Sequence, residues 1–150
     1  MKDLIDVPPL WLALAIVAAW WQARLFPLGL SIAGPVTDAL AGLFIGAGII
    51  LILAAALAFR RARTAIIPHK TPAHLVTTGI YARSRNPIYL GDTLILTGLI
   101  LRFDAVLSLV LVPLFVWWIE RHFIIPEENR MRRTFRADFA TYERKVRRWL

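Results

Sequence analysis

Four long apolar stretches alternate with polar ones along the chain, and they predict an all-α, polytopic membrane protein. Residues 7–26 carry no charge from Val7 until Arg24. Trp11, Trp20 and Trp21 stand near the ends of this stretch, where amphipathic rings favour a bilayer interface. Residues 27–35 hold Gly29, Gly34 and two prolines and read as a turn. The next stretch, 38–59, is uncharged after Asp38 and rich in Ala, Leu, Ile and Gly. About 20 apolar residues cross a bilayer core, so it is the clearest span. Gly42, Gly46 and Gly48 predict close helix contact along it. A third stretch (87–101) and a fourth (105–125) are separated only by Arg102, Phe103 and Asp104, which predicts a helical hairpin. The third is short and interrupted by Asp92, so a partial crossing or a locally thinned bilayer is expected.

Beyond Pro126 the pattern changes. Met131, Phe135, Phe139, Tyr142 and Val146 recur at steps of three and four, with arginines and a lysine between them. That spacing predicts an amphipathic basic helix over 126–150, lying on a membrane surface or against the bundle. Pro126 followed by Glu127 and Glu128 reads as the start of that helix, because acidic residues in a first turn suit the helix dipole.

Composition agrees with the pattern. Of 150 residues 58 % are apolar, against about 45–50 % in soluble proteins. The length fits one integral-membrane domain, with a loop at 60–86 and a tail at 126–150. The net charge of +8 would suggest nucleic acid in a soluble chain. With these apolar runs the better partner is anionic membrane lipid, and no nucleic acid is expected. Lys and Arg are lopsided: six lie in 60–86, eight in the tail, and Lys2 and Arg121 fall on the same side of a four-span layout. Only Arg24 and Arg102 fall opposite, so the positive-inside rule puts both termini in the cytoplasm, as in a bacterial inner membrane. Lys2 is offset by Asp3 and Asp6 and no small-x-small site follows, so the first helix reads as retained rather than as a cleaved signal peptide.

The candidate chemistry gathers at the cytoplasmic ends. Asn86-Pro87 predicts a helix start, with Pro at the first position and the Asn side chain capping free amides. Arg85 beside it makes a site for a carboxylate or phosphate, or simply an interfacial anchor. Asp92, Glu120, Arg121 and His122 should lie at similar depth. Ionisable groups there are functional candidates or an internal ion pair such as Asp92 with Arg121. His69 and His74 are five apart, off one helix face, and there is no Cys, so no metal site is expected.

Residues 75–81 (LVTTGIY) and 85–91 (RNPIYLG) resemble the signature of the isoprenylcysteine carboxyl methyltransferase family. So does the tail, with Glu127-Glu128, Phe135, Tyr142 and Val146-Arg147-Arg148-Trp149. That family belongs with the phospholipid N-methyltransferases. The resemblance implies S-adenosylmethionine as methyl donor and a lipid-like acceptor, either the carboxylate of an isoprenylated cysteine or a phospholipid amine. It implies that His74, Leu75, Val76, Tyr81, Arg85, Asn86, Pro87, Tyr89, Glu127 and Glu128 hold the cofactor. Arg121, His122 and Arg148 would meet the acceptor, and Asp92 or Glu120 would serve as base for an amine. Two positions depart from the family: its histidine falls at Ala73, with His74 displaced by one, and its substrate-side arginine falls at Phe123.

Overall fold

The computed structural model describes residues 7–64 and 74–150. Among them the chain is all helix and turn, without strands. The helices are α1 (Pro8–Leu25), α2 (Pro35–Arg61), α3 (Pro87–Arg102), α4 (Leu111–Ile119) and α5 (Ile125–Lys145). A 3-10 turn, Gly79–Ala82, precedes α3, and another, Val106–Val110, leads into α4. Proline opens α1, α2 and α3, where the missing N–H has no intrahelical partner to lose. Arg60 and Arg61 close α2, matching the negative end of its dipole.

α3 is the central helix. One side packs on α2 so closely that glycine is required. A Cβ on Gly48 would lie 2.6 Å from the Gly91 carbonyl oxygen, and one on Gly98 would lie 2.8 Å from that of Ala41. Gly42 and Gly46 face open space, so the expected glycine contact is made by Gly48 with Gly91 and Gly98 instead. The other side of α3 packs into an apolar core with α1 and α4, built by Ala19, Tyr89, Leu96, Ile100, Phe115, Ile119 and Phe123.

The outer surface is apolar. Leu14, Trp21, Leu43, Ile50, Leu53, Val110, Leu114 and Trp117 are all exposed, and α3 contributes none of the exposed large hydrophobic residues. Two helical runs are long and apolar enough to cross a membrane, Pro35–Arg61 and Val106–Lys145.

The second of those runs corrects the expected helix start at Pro126. Backbone angles stay helical from Ile119 through Ile125, and a π turn, Glu120–Ile124, joins α4 to α5. A regular turn would clash with the Pro126 ring and waste a carbonyl; the wider π turn accommodates both. Glu127 and Glu128 therefore face no free helix N-terminus. α5 is itself sharply bent at Arg136, whose φ is 40°. Arg132 Nη2 reaches Glu143 Oε2 at 2.8 Å, although eleven residues of straight helix would separate them by about 16 Å. The bend folds Phe139, Tyr142 and Val146 back onto Leu75, Met131 and Phe135.

Candidate functional site

The start of α3 is where separate parts of the chain meet. Asn86 occupies the N-cap position as the sequence predicts, but its side chain makes no cap. Its Nδ2 donates to the Arg148 carbonyl at 3.0 Å. The Arg85 N–H donates to the Arg147 carbonyl, also at 3.0 Å. These two bonds bring the C-terminal segment across the mouth of the bundle.

A lattice of ion pairs fills that junction. Arg85 lies 3.4 Å from Glu128 and 3.2 Å from Glu143. Arg148 reaches Glu128 at 2.8 Å and Glu120 at 2.7 Å. Trp149 Nε1 donates to the second oxygen of Glu120 at 3.3 Å. Glu128 is only 5 % exposed, a burial that a carboxylate tolerates only with such partners. Arg132 holds the Glu143 carboxyl below its usual range by hydrogen bonding, reinforced by the charges of Arg132 and Arg85.

Glu127 has a different setting. Tyr89 donates its hydroxyl to Glu127 at 2.9 Å, and the Glu127 charge also acts on Tyr81. Burial pushes the Tyr81 phenol up, and likewise that of Tyr142. Tyr142 donates to the Tyr81 carbonyl at 2.7 Å, tying the bent tail to the 3-10 turn. Val76 and Tyr81 pack with Ala55 and Ala58 of α2, while Leu75 joins the tail cluster. The Arg85 Nε is fully buried and has no hydrogen-bond partner. A buried guanidinium N–H without an acceptor, close to a carboxylate in a phenol-lined setting, suits a ligand carrying both signs of charge.

The structure thus brings together Leu75, Val76, Tyr81, Arg85, Asn86, Pro87, Tyr89, Glu127, Glu128 and Arg148. Arg85, Glu127 and Glu128, which the resemblance assigns to one cofactor, lie at one junction, where Arg85 pairs with Glu128 and Glu143 and Glu127 takes Tyr89. His74 is exposed at the edge of the group, and Ala73 and His69 lie outside the described residues. Asp92 is buried one turn into α3. It does not pair with Arg121, the ion pair considered from sequence; Arg121 is exposed. With Glu120 and Trp117, Arg121 lines an open groove of about 510 Å³ along α4. Glu120 is held by Arg148, which limits its freedom as a base. His122 stacks on Trp118 with ring centroids 4.8 Å apart. Sequence reasoning missed Arg132 and Glu143, and it quoted Trp149 in the tail motif without a role at the site. The one available signal was Glu143 itself, an acidic residue in a tail of eight cations.

An apolar outer surface around a helical bundle, with charge gathered at helix ends, along the tail helix and at one buried junction, and Asp92 alone inside α3, is the build of an integral membrane protein. The phospholipid methyltransferase family model matches residues 36–138. The chain belongs to that family of integral-membrane methyltransferases; the match runs from α2 into α5 and holds Arg85, Tyr89, Glu120, Glu127 and Glu128 of the junction, while Glu143, Arg148 and Trp149 follow it. No curated protein and no solved structure matches it.

Proposed function

We propose that the chain uses S-adenosylmethionine to methylate a lipid-like acceptor at the start of α3. The observation that carries this is the unpartnered Nε of Arg85 in the same junction as Glu127 and its tyrosines. The cofactor is a zwitterion with a sulfonium. Arg85 and the α3 N-terminus would take its carboxylate, Glu127 with Tyr89 its positive groups, and Leu75, Val76 and Tyr81 its adenine. His74 and Pro87 border the same site. When bound, the cofactor supplies an electrophilic methyl group. The chain's own contribution is to orient the reactants and exclude water, since transfer needs no covalent enzyme intermediate.

The topology proposed with this has four crossings, with the site and both termini at the cytoplasmic face. α3 has 16 residues, about 24 Å of helix, short of the ~30 Å hydrocarbon core. Its enclosure by α1, α2 and α4 relieves it of matching lipid. Arg133, Arg136, Arg144, Lys145 and Arg147 are exposed on the tail and would rest on anionic lipid.

Two acceptors suit a bundle open to lipid: the carboxylate of an isoprenylated cysteine and the amine of a phospholipid. Arg121, His122 and the α4 groove would meet either one. The amine is favoured at Phe123, which stands where the isoprenylcysteine enzymes carry an arginine. It is buried against Tyr89, with ring centroids 6.5 Å apart, and offers no cation to a carboxylate.

Calorimetry with S-adenosylhomocysteine tests the site. Wild type should bind, and Arg85→Ala and Glu127→Ala should each lose about tenfold or more, in line with a charge-assisted hydrogen bond. Equal binding by all three removes the site assignment. Absence of binding together with salt-sensitive lipid binding leaves a non-catalytic lipid-binding protein.

A further inference from the structure

Asp92 is the one acidic side chain inside the apolar part of α3, and it is 6 % exposed. Among the described residues it makes no hydrogen bond or ion pair. It lies one turn beyond Tyr89 on the same helix, and the Tyr89 hydroxyl bonds Glu127. The helices packed around it offer no cation at that depth. α1 carries only Arg24, at its far end; α2 carries Asp38, Arg60 and Arg61, all at its ends. Leu111–Ile119 of α4 is uncharged, and the π turn after it brings Glu120, Arg121 and His122. α5 supplies Glu127, already bonded by Tyr89. A lone carboxylate in such a place is costly unless a cation arrives to meet it.

Resting on the methyl-transfer proposal above, we infer that Asp92 is the base that prepares a lipid ammonium acceptor. The chemistry selects between the acceptor classes. A carboxylate acceptor needs no base and would be repelled by a second buried carboxylate. A lipid amine enters as R–NH3+, is attracted by Asp92, and must lose a proton before it can attack. Asp92 takes that proton, freeing the nitrogen lone pair. The N–C bond forms as the C–S bond of the sulfonium breaks, its electron pair leaving on sulfur. The product is R–NH2+–CH3, and Asp92 then sheds its proton to water, so each transfer releases one proton.

The experiment compares wild type, Asp92→Asn and Asp92→Glu in nanodiscs containing an ethanolamine phospholipid, with N-acetyl farnesylcysteine as the carboxylate probe. Asp92→Asn should lower kcat for the amine lipid about 100-fold near neutral pH. Its remaining rate should climb as pH rises toward the ionisation of the free amine, and Asp92→Glu should recover part of the loss. An infrared difference spectrum on adding the amine lipid, with S-adenosylhomocysteine bound, should show a carboxyl band in wild type that Asp92→Asn lacks. An Asp92→Asn rate within threefold of wild type, an unchanged pH profile, or a wild type that takes only the carboxylate probe overturns the assignment of Asp92 as base. If wild type and variant both fail to bind S-adenosylhomocysteine, the methyl-transfer proposal itself falls and Asp92 loses its role with it. If both bind it and the amine rate is unaffected, only Asp92 is excluded.

Discussion

The two ends of α3 are held in different ways. At the Pro87 end, Arg85, Asn86 and Tyr89 reach residues 38 to 62 positions away through side-chain hydrogen bonds. Most of the side chains there are partly or fully buried. At the Arg102 end, Asp104 accepts hydrogen bonds from the Ser31 hydroxyl and, at 2.8 Å, from the Ile32 N–H. Arg102 faces Asp38 at 3.7 Å, with both side chains more than 60 % exposed. Exposed pairs contribute about 0–1 kcal/mol, because water screens them and two long side chains must be ordered. Buried charges linked in a lattice cannot lose a partner so cheaply. One end is thus a geometry that many distant residues must agree on, and the other is a tether.

The largest effect should come from a feature the ends share. Gly91 near the Pro87 end and Gly98 nearer the Arg102 end both press backbone against α2. Gly91→Leu and Gly98→Leu should each destabilise by about 3 kcal/mol or more, and Gly46→Leu, facing open space, by less than about 0.5 kcal/mol. Thermal unfolding in detergent measures all three. Unequal losses at Gly91 and Gly98 would show that apolar packing, and not only polar contact, separates the ends.

Next comes the ion-pair lattice. Glu128→Ala leaves Arg85 and Arg148 without a shared buried partner and should cost about 3 kcal/mol. Asp38→Ala at the opposite end should cost less than about 1 kcal/mol. Equal costs would erase the contrast.

The smallest effect is acid sensitivity. The folded protein holds Glu143 below its ordinary value of 4.5. Its contribution to stability is therefore complete above that ordinary value and is lost as pH falls through the lower, folded value. Glu143→Gln should flatten the fall of melting temperature between about pH 5 and pH 3. Asp104 is lowered in the same direction, chiefly by the Ser31 hydrogen bond, but by neutral donors and not by cations. Asp104→Asn should flatten the curve less, and a larger change there would place the tighter end at Arg102.

What was legible in the sequence follows from what local residues can determine. Asn86-Pro87 announced the start of α3 because proline at a first helical position needs no partner elsewhere. The apolar stretches announced their helices by length alone. The helix that Pro126 was expected to begin was illegible for the opposite reason: proline also follows a π turn, and only the register of the preceding helix tells the two apart. The bend at Arg136 has neither Gly nor Pro to mark it. Periodicity put Phe139 and Tyr142 on an apolar face but could not show that the face folds back on Leu75. Likewise the resemblance puts Arg85, Glu127 and Glu128 around one cofactor, while which of the two acids meets Arg85 depends on side-chain direction, which spacing does not carry.

The π turn decides that choice. Such a turn amounts to one residue inserted into an ordinary helix, and one residue is about 100° of rotation. Were the same residues between Glu120 and Ile124 wound as a regular α turn, everything downstream would turn by that angle. Glu127 would then come to the place of Glu128, beside the arginines, and neither acid would be left facing Tyr89, without any change in the acidic pair itself. The meaning of the pair is written in the winding of the turn before it.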